Sequence, residues 1–157
     1  MPSLDSAEKQ RIQRSNQIFL RLRKELHDRD AQFAEKDVRE AAQSARWLRE
    51  ITEQYAGDWE QTYEDALAES ELTEEDEAYL QSGVKEAGGF SPFVQRNLRR
   101  LEEAAPNEEK TGNPAARVSH QDLMCGIAAG LVAGGVMMGN IFYFGFAVGM
   151  SRKAGCW

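Results

Sequence analysis

Residues 123–150 run for 28 positions without a charged side chain, and Asn140 is the only strongly polar residue among them. As one helix, rising about 1.5 Å per residue, this stretch exceeds the roughly 30 Å hydrocarbon thickness of a bilayer. It is therefore expected to form a single glycine-rich transmembrane helix over residues 120–151, followed by a short tail over 152–157. The alternative is a buried helix of a soluble assembly.

The glycines of this stretch are spaced. Gly126, Gly130 and Gly134 fall four apart, and the pairs Gly135–Gly139 and Gly145–Gly149 repeat the interval. Glycines on one face let a second helix backbone approach closely. With Asn140, whose amide favours a hydrogen bond over contact with lipid, they form the expected helix–helix interface. The aromatic cluster Phe142, Tyr143, Phe144 and Phe146 makes the second half bulkier, and Trp157 suits an interfacial position. On one continuous helix Cys125 and Cys156 lie about 45 Å apart, too far to pair within a chain.

The rest of the chain is strongly polar and its charge is uneven. Residues 1–49 carry a net +3, residues 50–95 a net −12 and residues 96–157 a net +2, within a total of −7. Such polarity predicts different partners for the first arm and the acidic middle. The opening MPSLDSAEKQ has no apolar core of a cleavable signal. With the apolar segment so late in the chain, the expected topology is a membrane protein crossing once, with its N-terminal domain in the cytosol.

Helical periodicity dominates residues 1–105. Ile12, Phe19, Leu26 and Phe33 recur every seven positions, with Ile18 and Leu22 beside them. Val38, Ala41, Ala45, Leu48, Ile51, Tyr55, Trp59, Tyr63 and Leu67 continue in steps of three and four, with a candidate break near Gly57. Thr73 precedes three carboxylates where a capping hydroxyl and the helix dipole favour them, and Gly88-Gly89 stops that segment. Ser91-Pro92 reads as a cap followed by a first-turn proline. No segment alternates with the period of a strand. The prediction is an all-α chain: a helical, hairpin-like soluble domain over 1–105, with helices over 5–34, 36–69, 74–87 and 92–104, then a flexible linker over 106–119 and the anchor.

The chemistry-bearing residues are sparse. His27 and His120 lack neighbouring ligands, no phosphate-binding glycine loop follows a strand, and the carboxylates after Thr73 lack the spacing of a calcium loop. No catalytic residue, cofactor or metal is expected, and the chain is not expected to be an enzyme. Arg11, Arg14, Arg21, Arg23 and Lys24 form a candidate basic contact surface for an anionic membrane, or a solvated face paired with the acidic middle. Nucleic acid is not expected, because base-stacking aromatics do not accompany these cations.

Helices followed by a glycine-rich span and a basic end resemble the plan of tail-anchored mitochondrial fission adaptors and of ribosome-associated bacterial inner-membrane proteins. The resemblance is one of layout and carries no functional residue across. The single late span, the glycine spacing and the missing catalytic constellations together predict a tail-anchored, non-enzymatic adaptor, scaffold or accessory subunit, with lipid, a second transmembrane helix (its own or another's) and a protein as partners. The second expectation is a membrane-inserting pore or conduit kept soluble by its hydrophilic domain. The third is a precursor whose tail is cleaved to a hydrophobic peptide.

Overall fold

The computed structural model describes residues 2–29, 35–104 and 120–157. Among them are seven helices and no strand: α1 (Ser6–Arg29), α2 (Glu35–Gln54), α3 (Ala56–Glu69), α4 (Glu74–Ala87), α5 (Phe90–Ala104), α6 (His120–Met138) and α7 (Ile141–Ala154). The linker expected over 106–119 lies outside the described residues, as do residues 30–34 of the first expected helix.

Local chemistry sets most of the boundaries. Asp5 and Glu8 cap α1 reciprocally: Asp5 Oδ1 accepts from the Glu8 N–H at 2.7 Å, and Glu8 Oε1 accepts from the Asp5 N–H at 3.0 Å. The long helix expected over 36–69 is divided at Tyr55, two residues before Gly57. Just before that break the Thr52 hydroxyl donates to the Leu48 carbonyl, and the Trp59 indole N–H donates to the Ile51 carbonyl at 3.2 Å. Hydroxyl back-bonding of this kind bends helices. Thr73 caps α4 by accepting from the Asp76 N–H at 3.2 Å, and Gly88 ends it at φ +96°.

Helix α5 starts at Phe90, ahead of the expected 92, and Ser91 is not its cap. The cap is the Glu60 carboxylate of α3, which accepts from the N–H groups of Phe90 and Ser91, each at 2.9 Å. The Ser91 hydroxyl instead donates to the Ala56 carbonyl at 2.9 Å. Glu60→Ala removes both acceptors and is expected to lower stability by about 1–3 kcal/mol in urea unfolding, with Glu60→Gln losing less.

The principal departure from the sequence expectation is in the apolar stretch. The single helix expected over 120–151 is two helices, folded back on each other at Gly139-Asn140. Gly139 takes φ +66°, a conformation open to glycine, while its N–H reaches the Val136 carbonyl and the Asn140 N–H reaches the Gly135 carbonyl. Asn140 then caps α7, its Oδ1 accepting from Phe142 N–H at 3.1 Å and Tyr143 N–H at 3.3 Å. The turn thus satisfies the backbone groups that two abutting helix ends would otherwise leave open.

Reversal of direction also corrects the expectation for the cysteines. Cys125 and Cys156 are joined by a disulfide, with Cα atoms 5.4 Å apart, closing the hairpin at the end opposite its turn. Helix α6 is the centre of the bundle, with α1, α5 and α7 packed most closely around it and α2 and α3 also in contact. Its residues from Cys125 to Met137 are buried, against Ile12, Phe19 and Leu22 of α1 and Val94, Leu98 and Leu101 of α5 in the same apolar core.

Candidate functional site

Among the described residues, the fold gathers most of those singled out in the sequence at the apolar hairpin and the helices packed on it. Over Gln121–Met138, α6 is long and apolar enough to cross a membrane. Central helices of water-soluble bundles share that length and composition, and α6 occupies such a central position.

The glycine face is divided by the fold. A Cβ at Gly126 would lie 2.7 Å from Leu101 Cβ of α5; one at Gly130 would enter the Phe19 ring of α1, and one at Gly134 the Asn16 amide. These three glycines bring the helices of the same chain close to α6. Gly135 serves the hairpin itself, since a Cβ there would stand 2.9 Å from the Phe144 nitrogen of α7. Gly139 and Asn140 make the turn. Gly145 and Gly149 lie on the open side of α7, with Leu72 and Asp76 of the α4 region at 3.9 Å.

The expected basic surface is dispersed as well. Arg21 pairs with Glu40 at 2.8 Å and Asp37 at 3.3 Å, both on α2. Their hydrogen bond raises the Arg21 pKa and lowers that of Glu40. Arg11 leans over the Trp47 ring at 5.7 Å, Arg23 lies 4.1 Å over the Phe146 ring of α7, and Arg14 and Lys24 are exposed. The partners of this arm therefore come from the start of α2 and from the hairpin; the acidic middle sends Glu75 and Asp76 to Arg152 instead.

A dense lock surrounds the closed end of the hairpin. Arg100 of α5 donates to Asp122 at 2.9 Å and to the Cys156 carbonyl at 3.0 Å. Trp157 stacks on Tyr79 at 4.9 Å and meets Phe93 edge-on at 4.7 Å. Its indole donates to the Tyr79 carbonyl at 3.1 Å, and its backbone N–H to the Tyr79 hydroxyl at 2.9 Å. Gly83 leaves room for this, because a Cβ there would run into the indole. An interfacial Trp157 was expected; in the bundle it is a plug between α4 and α5, recognisable only once the chain turns back.

Three buried polar side-chain atoms of α1, α2 and α3 are unsatisfied. Asn16 Oδ1, Ser44 Oγ and Tyr63 Oη are buried without a hydrogen-bond partner. Burial pushes the Tyr63 phenol up to about 12. Among the described residues no three His, Cys, Asp or Glu side chains come together in a way that would hold a metal ion. Compared with protein-family models, curated proteins and solved structures, the chain matches none.

Proposed function

We propose that this chain is a membrane-inserting protein whose five outer helices hold an apolar hairpin away from water until a bilayer receives it. The observation that carries the reading is that the chain's two most apolar helices form one hairpin, with α6 buried beneath the amphipathic helices and α7 lying on it at the open side of the bundle. Withdrawal of α1 and α5 would expose the uncharged face of α6, which water disfavours and lipid accepts. The 19 residues of α6 give about 28 Å of helix, close to the hydrocarbon thickness. The turn brings its own hydrogen bonds, a requirement inside lipid, through Gly139 and Asn140.

Two further observations support release. The unpartnered Asn16, Ser44 and Tyr63 groups each cost about 1–3 kcal/mol in the closed bundle, which weakens the sheath. The face of Gly126, Gly130 and Gly134, once vacated by α1 and α5, offers the close approach that lets hairpins assemble with one another. In this role the chain is non-enzymatic, and lipid and further copies of itself are its partners.

A second reading is favoured by α6 alone: a permanently anchored adaptor whose other helices bind a protein. Purification without detergent followed by dye release from liposomes is the outcome expected for membrane insertion. Presence in the membrane fraction from the outset, resistance to carbonate extraction and failure to release dye would replace it with the anchored adaptor.

A further inference from the structure

Helix α7 is the least enclosed half of the hairpin, with α6 beneath it and α4 along one edge. Its outward residues Phe142, Gly145, Phe146, Gly149 and Met150 share one helical face. Phe142 is 83% exposed, and among the described residues no other large hydrophobic side chain is exposed. An open groove of about 560 Å³ runs beside this face, with Met124, Phe146 and Met150 as its apolar wall. Gly145 and Gly149 line it without side chains, which keeps the channel wide.

The charges around the groove are polarised. Arg23, Arg152 and Lys153 line it together with Asp76. Arg152 is matched by Glu75 and Asp76, so Arg23 and Lys153 supply the unmatched positive charge. Glu71 stands beside Phe142 and Gly145, in an adjoining pocket. Arg23 lies over the Phe146 ring and Lys153 stands beyond Met150 on α7, so cations flank the apolar wall, an arrangement that fits an amphiphile with an anionic head and a hydrocarbon tail. A second copy docked with its α7 parallel to the first would bring its own Arg23 and Lys153 against these cations, while an antiparallel copy would turn Glu71 towards them, the pairing that the dimer outcome below tests.

We infer that this α7 face docks the folded protein on an anionic bilayer, with a phospholipid phosphate at Arg23 and Lys153 and an acyl chain along Met124, Phe146 and Met150 towards Phe142. The inference rests on the membrane-inserting reading and adds to it the surface that meets lipid first and the headgroup charge that surface selects.

Flotation of the full chain with vesicles tests it, using phosphatidylcholine alone and phosphatidylcholine mixed with phosphatidylglycerol. The mixed vesicles are expected to bind roughly 25-fold more tightly at low salt, from two cations contributing about fivefold each. The preference should shrink as salt rises. Phe142→Asp, at a site exposed enough to leave the fold intact, is expected to weaken binding by about tenfold or more. An Arg23→Glu/Lys153→Glu variant is expected to lose the preference for phosphatidylglycerol, with unfolding midpoints reporting whether each variant remains folded. Equal binding to both vesicle types overturns the inference, as does wild-type binding by Phe142→Asp. A dimer that Phe142→Asp disrupts while vesicle binding stays unchanged also overturns it, assigning the face to a second copy. Dye release measured alongside separates the two readings: release by variants that bind as wild type removes only the docking face, whereas docking through α7 without release removes only insertion.

Discussion

Opening the Cys125–Cys156 disulfide is expected to destabilise the folded bundle by about 3–4 kcal/mol, the chain-entropy value for a loop of this size. The bridge joins residues 31 apart in sequence and closes the hairpin at the end away from its turn. Without it, α7 is held to α6 by packing and by the Gln121 contacts, and to α4 and α5 by those of Arg152, Tyr79, Arg100 and Trp157. Urea unfolding of the oxidised protein, the reduced protein and a Cys125→Ser/Cys156→Ser variant checks the magnitude, and the last two should agree. The membrane consequence is larger. With the bridge closed, Arg152 and Lys153 remain on the same side of a bilayer as the start of α6. Once it is open, residues 123–150 can straighten into one helix of about 42 Å, enough to cross. Trypsin added outside proteoliposomes should therefore cut after Arg152 and Lys153 in the oxidised form and be denied those sites in the reduced form.

The second large effect concerns the sheath. Phe19 is fully buried and its ring covers Gly130 at the centre of α6. Phe19→Ala is expected to lower stability by about 3–5 kcal/mol, the range for deleting a buried aromatic side chain. If α1 restrains the hairpin, the same variant should release dye from vesicles faster than wild type at equal binding. A variant destabilised to that extent with an unchanged release rate would show that α1 is not the barrier, and attention would move to α5. Comparison with Leu80→Ala distinguishes general loosening from uncovering of α6, since Leu80 is equally buried but belongs to α4, which is not among the helices packed closely on α6.

The all-helical class could be read from periodicity, because each amphipathic segment shows its buried stripe at steps of three and four. So could Thr73 and Gly88, whose roles depend on residues within one turn. The α5 cap could not, since Glu60 lies 30 residues from the N–H group of Phe90 that it satisfies. The hairpin was hidden for a different reason. Hydropathy registers apolar character and is blind to direction, so a turn made of glycine and one asparagine inside an apolar run leaves the run unbroken. The signal was nonetheless present: Gly139 followed by Asn140 is a helix-ending residue followed by a helix-capping one. Cys125 and Cys156 also stand at nearly equal distances on either side of that pair. Of the spaced glycines, Gly126, Gly130, Gly134 and Gly135 lie at close approaches within this chain, and spacing alone does not say which helix approaches. The Asp5–Glu8 capping box was legible as an acid followed three residues later by a glutamate.

While the disulfide is closed, residues 125–156 form a covalent ring, and a ring cannot be threaded as a single strand. Any channel just wide enough for one extended polypeptide would have to take two strands abreast when it reached Cys125. Transport of this chain through such a channel is thus coupled to thiol chemistry: a dithiol reductant must open the ring before passage, and an oxidant on the far side can close it again behind.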